Sequence, residues 1–100
     1  MSDFKRISTA QAKELIDTGK ASIVDVRDAQ SFNTAHIEGA VLLDNNSVDN
    51  FIDSTPKDTP VIVYCYHGNS SQSAGQFLAE KGFTEVYSVD GGFELWRTQY

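Results

Sequence analysis

Apolar residues along this chain occur either in short runs or at helical intervals, and the two patterns alternate. Ser8 and Gln11 have the spacing of a capping box. Ala12, Leu15 and Ile16 then repeat on one helical face, and Gly19 closes the segment. Residues 22–26, with Ile23, Val24 and Val26, predict a buried strand. Asp28 is placed to cap a short helix through Phe32, and residues 40–43 predict another strand before the polar turn at 44–47. Val48, Phe51 and Ile52 repeat at helical spacing behind Ser47 and stop near Pro56. Residues 61–64 are the strongest strand signal in the chain. Ala74, Phe77 and Leu78 give one apolar face to a helix over 70–81 that Gly82 ends. A strand over 86–89, a turn at 90–92 and a last helix carrying Phe93 and Trp96 on one face complete the order.

Strands alternating with helices through short connections predict an α/β fold with a mostly parallel sheet and helices on both faces. Such sheets bind ligands beyond the carboxyl ends of their strands. Cys65 stands at such an end, directly after residues 61–64 and before the loop Tyr66, His67, Gly68, Asn69, Ser70 and Ser71.

Length and composition narrow the reading. One hundred residues suffice for one domain over 1–100 with one folding unit, and no repeat or low-complexity tract interrupts it. A net charge of −6 with scattered lysines and arginines argues against nucleic acid or an anionic membrane surface as partner. An anionic substrate would need a local positive site. No apolar run approaches the length of a membrane span, and the N-terminus lacks the apolar region of a signal peptide, so the expected location is the cytoplasm. A single cysteine allows no intramolecular disulfide and supplies no resolving thiol. Whatever Cys65 acquires, another molecule must remove.

A lone cysteine is more often a small buried hydrophobe than a nucleophile. Here the context favours reactivity. A strand-to-helix turn aims unpaired amides and the positive end of a helix dipole at the sulfur, which lowers a thiol pKa. Gly68 permits close backbone approach, while Asn69, Ser70 and Ser71 add polar groups.

Four ordered blocks carry a resemblance: Val24-Asp25-Val26-Arg27-Asp28 with Phe32, His36-Ile37-Glu38-Gly39-Ala40, the loop 65–71, and Gly91-Gly92-Phe93-Glu94-Leu95-Trp96. Together they resemble the rhodanese sulfurtransferases, in particular the single-domain thiosulfate sulfurtransferases, over nearly the whole chain. The resemblance implies a ping-pong reaction. Cys65 takes a sulfur atom from thiosulfate and passes it to cyanide or another thiophile, such as a small thiol or a thiol protein like thioredoxin. It implies an amide cradle at residues 66–71 and no metal or organic cofactor. A persulfide carrier loaded by a partner enzyme is the alternative. Many members carry arginine where this chain has Ser70, so substrate affinity is expected to be modest. Ser31 and Ala35 stand where glutamate and glycine are usual, which leaves the family's ion pair to Arg27 open. Related phosphatases end the loop in arginine, and none follows Cys65 here until Arg97.

Asp25 and Arg27 alternate at a strand end and share a face, as a structural ion pair supporting the site would. His67 either tunes the sulfur or is an ordinary exposed loop residue. His36 reads as structural, and two histidines with one cysteine at unequal spacing make a poor zinc set. Phe93 and Trp96 read as core, and Gly91-Gly92 as a tight turn rather than a phosphate cradle.

Overall fold

A computed structural model describes residues 3–100; Met1 and Ser2, part of the N-terminal stretch considered above, lie outside them. The chain runs β1 (Lys5–Ile7), α1 (Thr9–Asp17), β2 (Ser22–Asp25), α2 (Ala29–Thr34), β3 (Val41–Leu42), α3 (Val48–Ser54), β4 (Val61–Tyr64), α4 (Ser70–Glu80), β5 (Val86–Val89) and α5 (Gly92–Gln99). The strands form one sheet in the order β1-β5-β4-β2-β3, and each neighbouring pair is parallel.

β4 lies at the centre and is buried along its whole length, because side chains alternate between two packed faces. Ile62 and Tyr64 join Ile7, Ala12, Ile23, Val89, Phe93 and Trp96 beneath α1 and α5. Val61 and Val63 join Val24, Leu78, Phe83 and Val86 on the other face, where Phe51, Ile52 and Ala74 bring in α3 and α4. Each fully buried Val or Leu adds roughly 1.5–3 kcal/mol of transfer free energy. The helices therefore hold both faces of the sheet, as the alternating pattern predicts.

Local signals set the element ends. Ser8 and Gln11 form the expected capping box of α1, and the Asp28 side chain accepts the Ser31 amide at the start of α2. The structure departs from the sequence expectations mainly at the sheet edges. β1 was not predicted, since Lys5 and Arg6 are exposed and only Ile7 is buried. It forms by pairing with β5, and the Arg6–Asp90 ion pair of 2.8 Å reinforces that edge. β3 shrinks to Val41–Leu42 for the same reason: an edge strand with an exposed Val41 has little to bury. Among the described residues, no helix is long and apolar enough to cross a membrane.

Candidate active site

The carboxyl end of the central strand delivers Cys65 to the start of α4, and the residue is only 3% exposed. Asn69 is the N-cap of α4, yet its side chain makes no capping bond. The cysteine sulfur takes that place. The Ser71 amide, second in the helix, donates to Cys65 Sγ at 3.3 Å, and the Gly68 amide donates at 3.2 Å. The Ser71 hydroxyl lies 3.4 Å from Sγ. Burial pushes the Cys65 thiol pKa up, but the Ser71 hydroxyl and the amides of Ser71, Gly68 and His67 outweigh it, and the net shift is downward. The helix dipole acts in the same direction.

What turns these amides toward the sulfur is contact on the other side of the loop. The first turn of α5 donates from the Phe93 amide to the Cys65 carbonyl at 2.8 Å and from the Glu94 amide to the Tyr66 carbonyl at 3.0 Å. With carbonyls fixed on α5, the amides that follow face Sγ. This docking requires Gly92: at its φ of 58°, an added Cβ would stand 2.5 Å from the carbonyl oxygens of both Cys65 and Tyr66. Gly68 is also confined, though less tightly, since a Cβ there would meet the Gly91 nitrogen at 3.0 Å and the Val89 oxygen at 3.1 Å.

The loop residues named from the sequence divide into groups. Gly68 and Ser71 are buried against the sulfur, and His67 contributes its amide. The Tyr66 side chain turns away. Its hydroxyl donates to Asp28 Oδ1 and lies 2.6 Å from Ser31 Oγ, latching the loop to the start of α2. The Tyr66 hydroxyl, with the Ser31 amide and hydroxyl, holds the Asp28 carboxyl down to about 2. Asn69 and Ser70 are exposed beside the sulfur, where the chain offers neutral groups.

Asp25 and Arg27 form the buried pair that their alternation predicts. Arg27 donates from Nη2 to Asp25 Oδ2 at 2.7 Å and from Nε to both carboxylate oxygens, and Nη2 also reaches the Ala35 carbonyl at 2.6 Å. Burial opposes the charge on Arg27, but Asp25 outweighs it and raises the guanidinium pKa. Arg27 is thus paired without a glutamate at position 31. Its guanidinium covers the Phe93 ring at 4.3 Å and the Tyr66 ring at 5.6 Å, joining β2, α5 and the loop. His36 is structural as expected: its Nδ1 lies 2.8 Å from the Phe32 carbonyl, and its ring stacks on Phe32 at 3.9 Å.

Two contributors escaped sequence reasoning. Gly92 was read only as part of a turn, yet it admits α5 to the back of the loop. Ser88 was read as a strand position, yet its hydroxyl lies 2.8 Å from Ser71 Oγ with both residues fully buried. A hydroxyl inside the apolar run 86–89 was the available signal.

A parallel five-stranded sheet with an amide cradle around a cysteine at the carboxyl end of its central strand defines an α/β domain with a cysteine-centred site. The chain belongs to the rhodanese-like domain family, whose model matches residues 8–99. It is 59% identical, over its full length and 91% of the relative's, to the thiosulfate sulfurtransferase GlpE of Ectopseudomonas mendocina. The GlpE protein of Pseudomonas fluorescens is 53% identical over the same shares. A crystal structure of a rhodanese-like domain protein from Staphylococcus aureus superposes with a TM-score of 0.79 at 26% identity, covering 93% of this chain and 91% of that one.

Proposed function

We propose that this chain is a thiosulfate sulfurtransferase that works by a ping-pong mechanism through a persulfide on Cys65. The observation that carries the reading is the convergence of the Gly68 and Ser71 amides and the Ser71 hydroxyl on one sulfur whose pKa is lowered. The Cys65 thiolate attacks the outer sulfur of thiosulfate. The S–S bond of thiosulfate breaks, sulfite leaves with the bonding pair, and Cys65 carries a persulfide anion. Cyanide or a thiol nucleophile then attacks the terminal sulfur, and the Cys65 thiolate returns.

Charge is conserved at each step, and no proton has to cross the site. A fixed set of amides suits this chemistry, because thiolate and persulfide are both anions that backbone donors can hold without rearrangement. Phosphoryl transfer is a poor fit. No arginine lies within residues 65–71, and Arg97 on α5 pairs with Glu94 at 3.2 Å. The thiol must be kept reduced for turnover, which suits the cytoplasm.

Steady-state kinetics with thiosulfate and cyanide test the proposal. Parallel double-reciprocal lines, abolished by Cys65→Ser, are expected, with no hydrolysis of p-nitrophenyl phosphate. Loading that requires a cysteine desulfurase, with no saturable turnover of thiosulfate, would replace it by the persulfide-carrier reading.

A further inference from the structure

Parallel strands buried on both faces are built from apolar side chains. Ser88 breaks that rule in β5, the strand between β1 and β4, where it is fully buried. A buried hydroxyl needs a partner, and among the described residues Ser88 has Ser71 Oγ at 2.8 Å. Ser71 Oγ is in turn 3.4 Å from Cys65 Sγ. Three side chains from β5, α4 and the end of β4 therefore form one chain ending on the sulfur.

Proton accounting fixes its direction. A thiolate only accepts, so the single proton of Ser71 must point at Sγ. Ser71 Oγ then turns a lone pair toward Ser88, whose hydroxyl donates. With Cys65 protonated, both hydroxyls reverse. We infer that Ser88 is a positioning residue, whose hydroxyl donates to Ser71 Oγ and thereby holds the Ser71 proton on the Cys65 sulfur. The inference rests on the reading of Cys65 as the reactive sulfur. Aligned hydroxyls polarise one another, and the gain is larger when the chain ends on an anion.

The charged groups around this site are largely paired. Asp25 bonds Arg27, Asp90 bonds Arg6, and Glu94 bonds Arg97. His67 and Tyr66 are the ionisable side chains on the loop itself. The test is the pH dependence of iodoacetamide alkylation of the single cysteine, followed by intact mass.

Ser88→Ala should raise the alkylation midpoint by about half a pH unit, making alkylation roughly threefold slower below it. Ser88→Thr, which keeps a hydroxyl, should restore the parent profile. Ser71→Ala should shift the midpoint further, and adding Ser88→Ala to it should change nothing more. A parent midpoint in Ser88→Ala, or an unchanged effect of Ser88→Ala in the Ser71→Ala background, overturns the inference. A lowered unfolding midpoint without an alkylation shift would assign Ser88 to packing and overturns it too. Parallel thiosulfate loading of the parent separates the two questions. A parent that takes up no sulfur defeats the functional reading, whatever the Ser88 variants do.

Discussion

Gly92→Ala is the substitution most informative about how the fold makes the site. The new Cβ would stand 2.5 Å from the carbonyl oxygens of Cys65 and Tyr66, so α5 must retreat from the loop. Two backbone bonds are lost with it, Phe93 N to Cys65 O and Glu94 N to Tyr66 O. At about 1 kcal/mol for each bond, and about 1 kcal/mol for a left-handed alanine, the expected destabilisation is about 3 kcal/mol. A domain of this size has a total stability of about 5–15 kcal/mol, so the variant should remain mostly folded.

Gly19→Ala provides the control. Gly19 has a similar φ of 75° with nothing within 4 Å of an added Cβ, so it should lose only the left-handed term, about 1 kcal/mol. Urea unfolding measures both costs. Once the carbonyls are released, the amides no longer face Sγ, and kcat/KM for thiosulfate should fall at least about tenfold in Gly92→Ala but stay at the parent level in Gly19→Ala. A folded Gly92→Ala with parental kcat/KM would refute the claim that α5 sets the loop.

Other expectations follow from the same geometry. Asp25→Ala strands a buried guanidinium and should cost about 3–5 kcal/mol in urea unfolding. The alkylation rate of Cys65 should rise with pH with its midpoint below the 9.0 of an ordinary thiol. Because the folded pKa is the lower one, the sulfur's contribution to stability is full above the unfolded pKa. It is lost as pH falls through the folded value, so Cys65→Ser should flatten that part of the stability profile. Ser70→Arg adds a cation beside the sulfur, worth about 1 kcal/mol in water, and should raise kcat/KM for thiosulfate about fivefold at low salt, with the gain fading at high salt.

The sequence was legible where signals are local. The runs at 22–26, 61–64 and 86–89 revealed β2, β4 and β5 because parallel interior strands are apolar on both faces. The capping box at Ser8 and the caps at Asp28 and Gly82 act within a few residues and marked their helices. β1 was hidden because Lys5 and Arg6 have no apolar pattern of their own, and their strand conformation comes from β5, more than eighty residues away. The site divides in the same way. Cys65 and its amides could be read from a strand, a glycine and a helix start in sequence. The back of the loop could not, because Gly92 meets Cys65 and Ser88 meets Ser71 only once the sheet is assembled.

The central claim, that Cys65 carries the transferred sulfur, is tested most directly by intact-mass measurement after incubation with thiosulfate. The account predicts a gain of one sulfur atom mapped to Cys65, released by cyanide as thiocyanate in equal amount and absent in Cys65→Ser. An unchanged mass after incubation with thiosulfate alone, in a preparation that produces thiocyanate once cyanide is added, would contradict it.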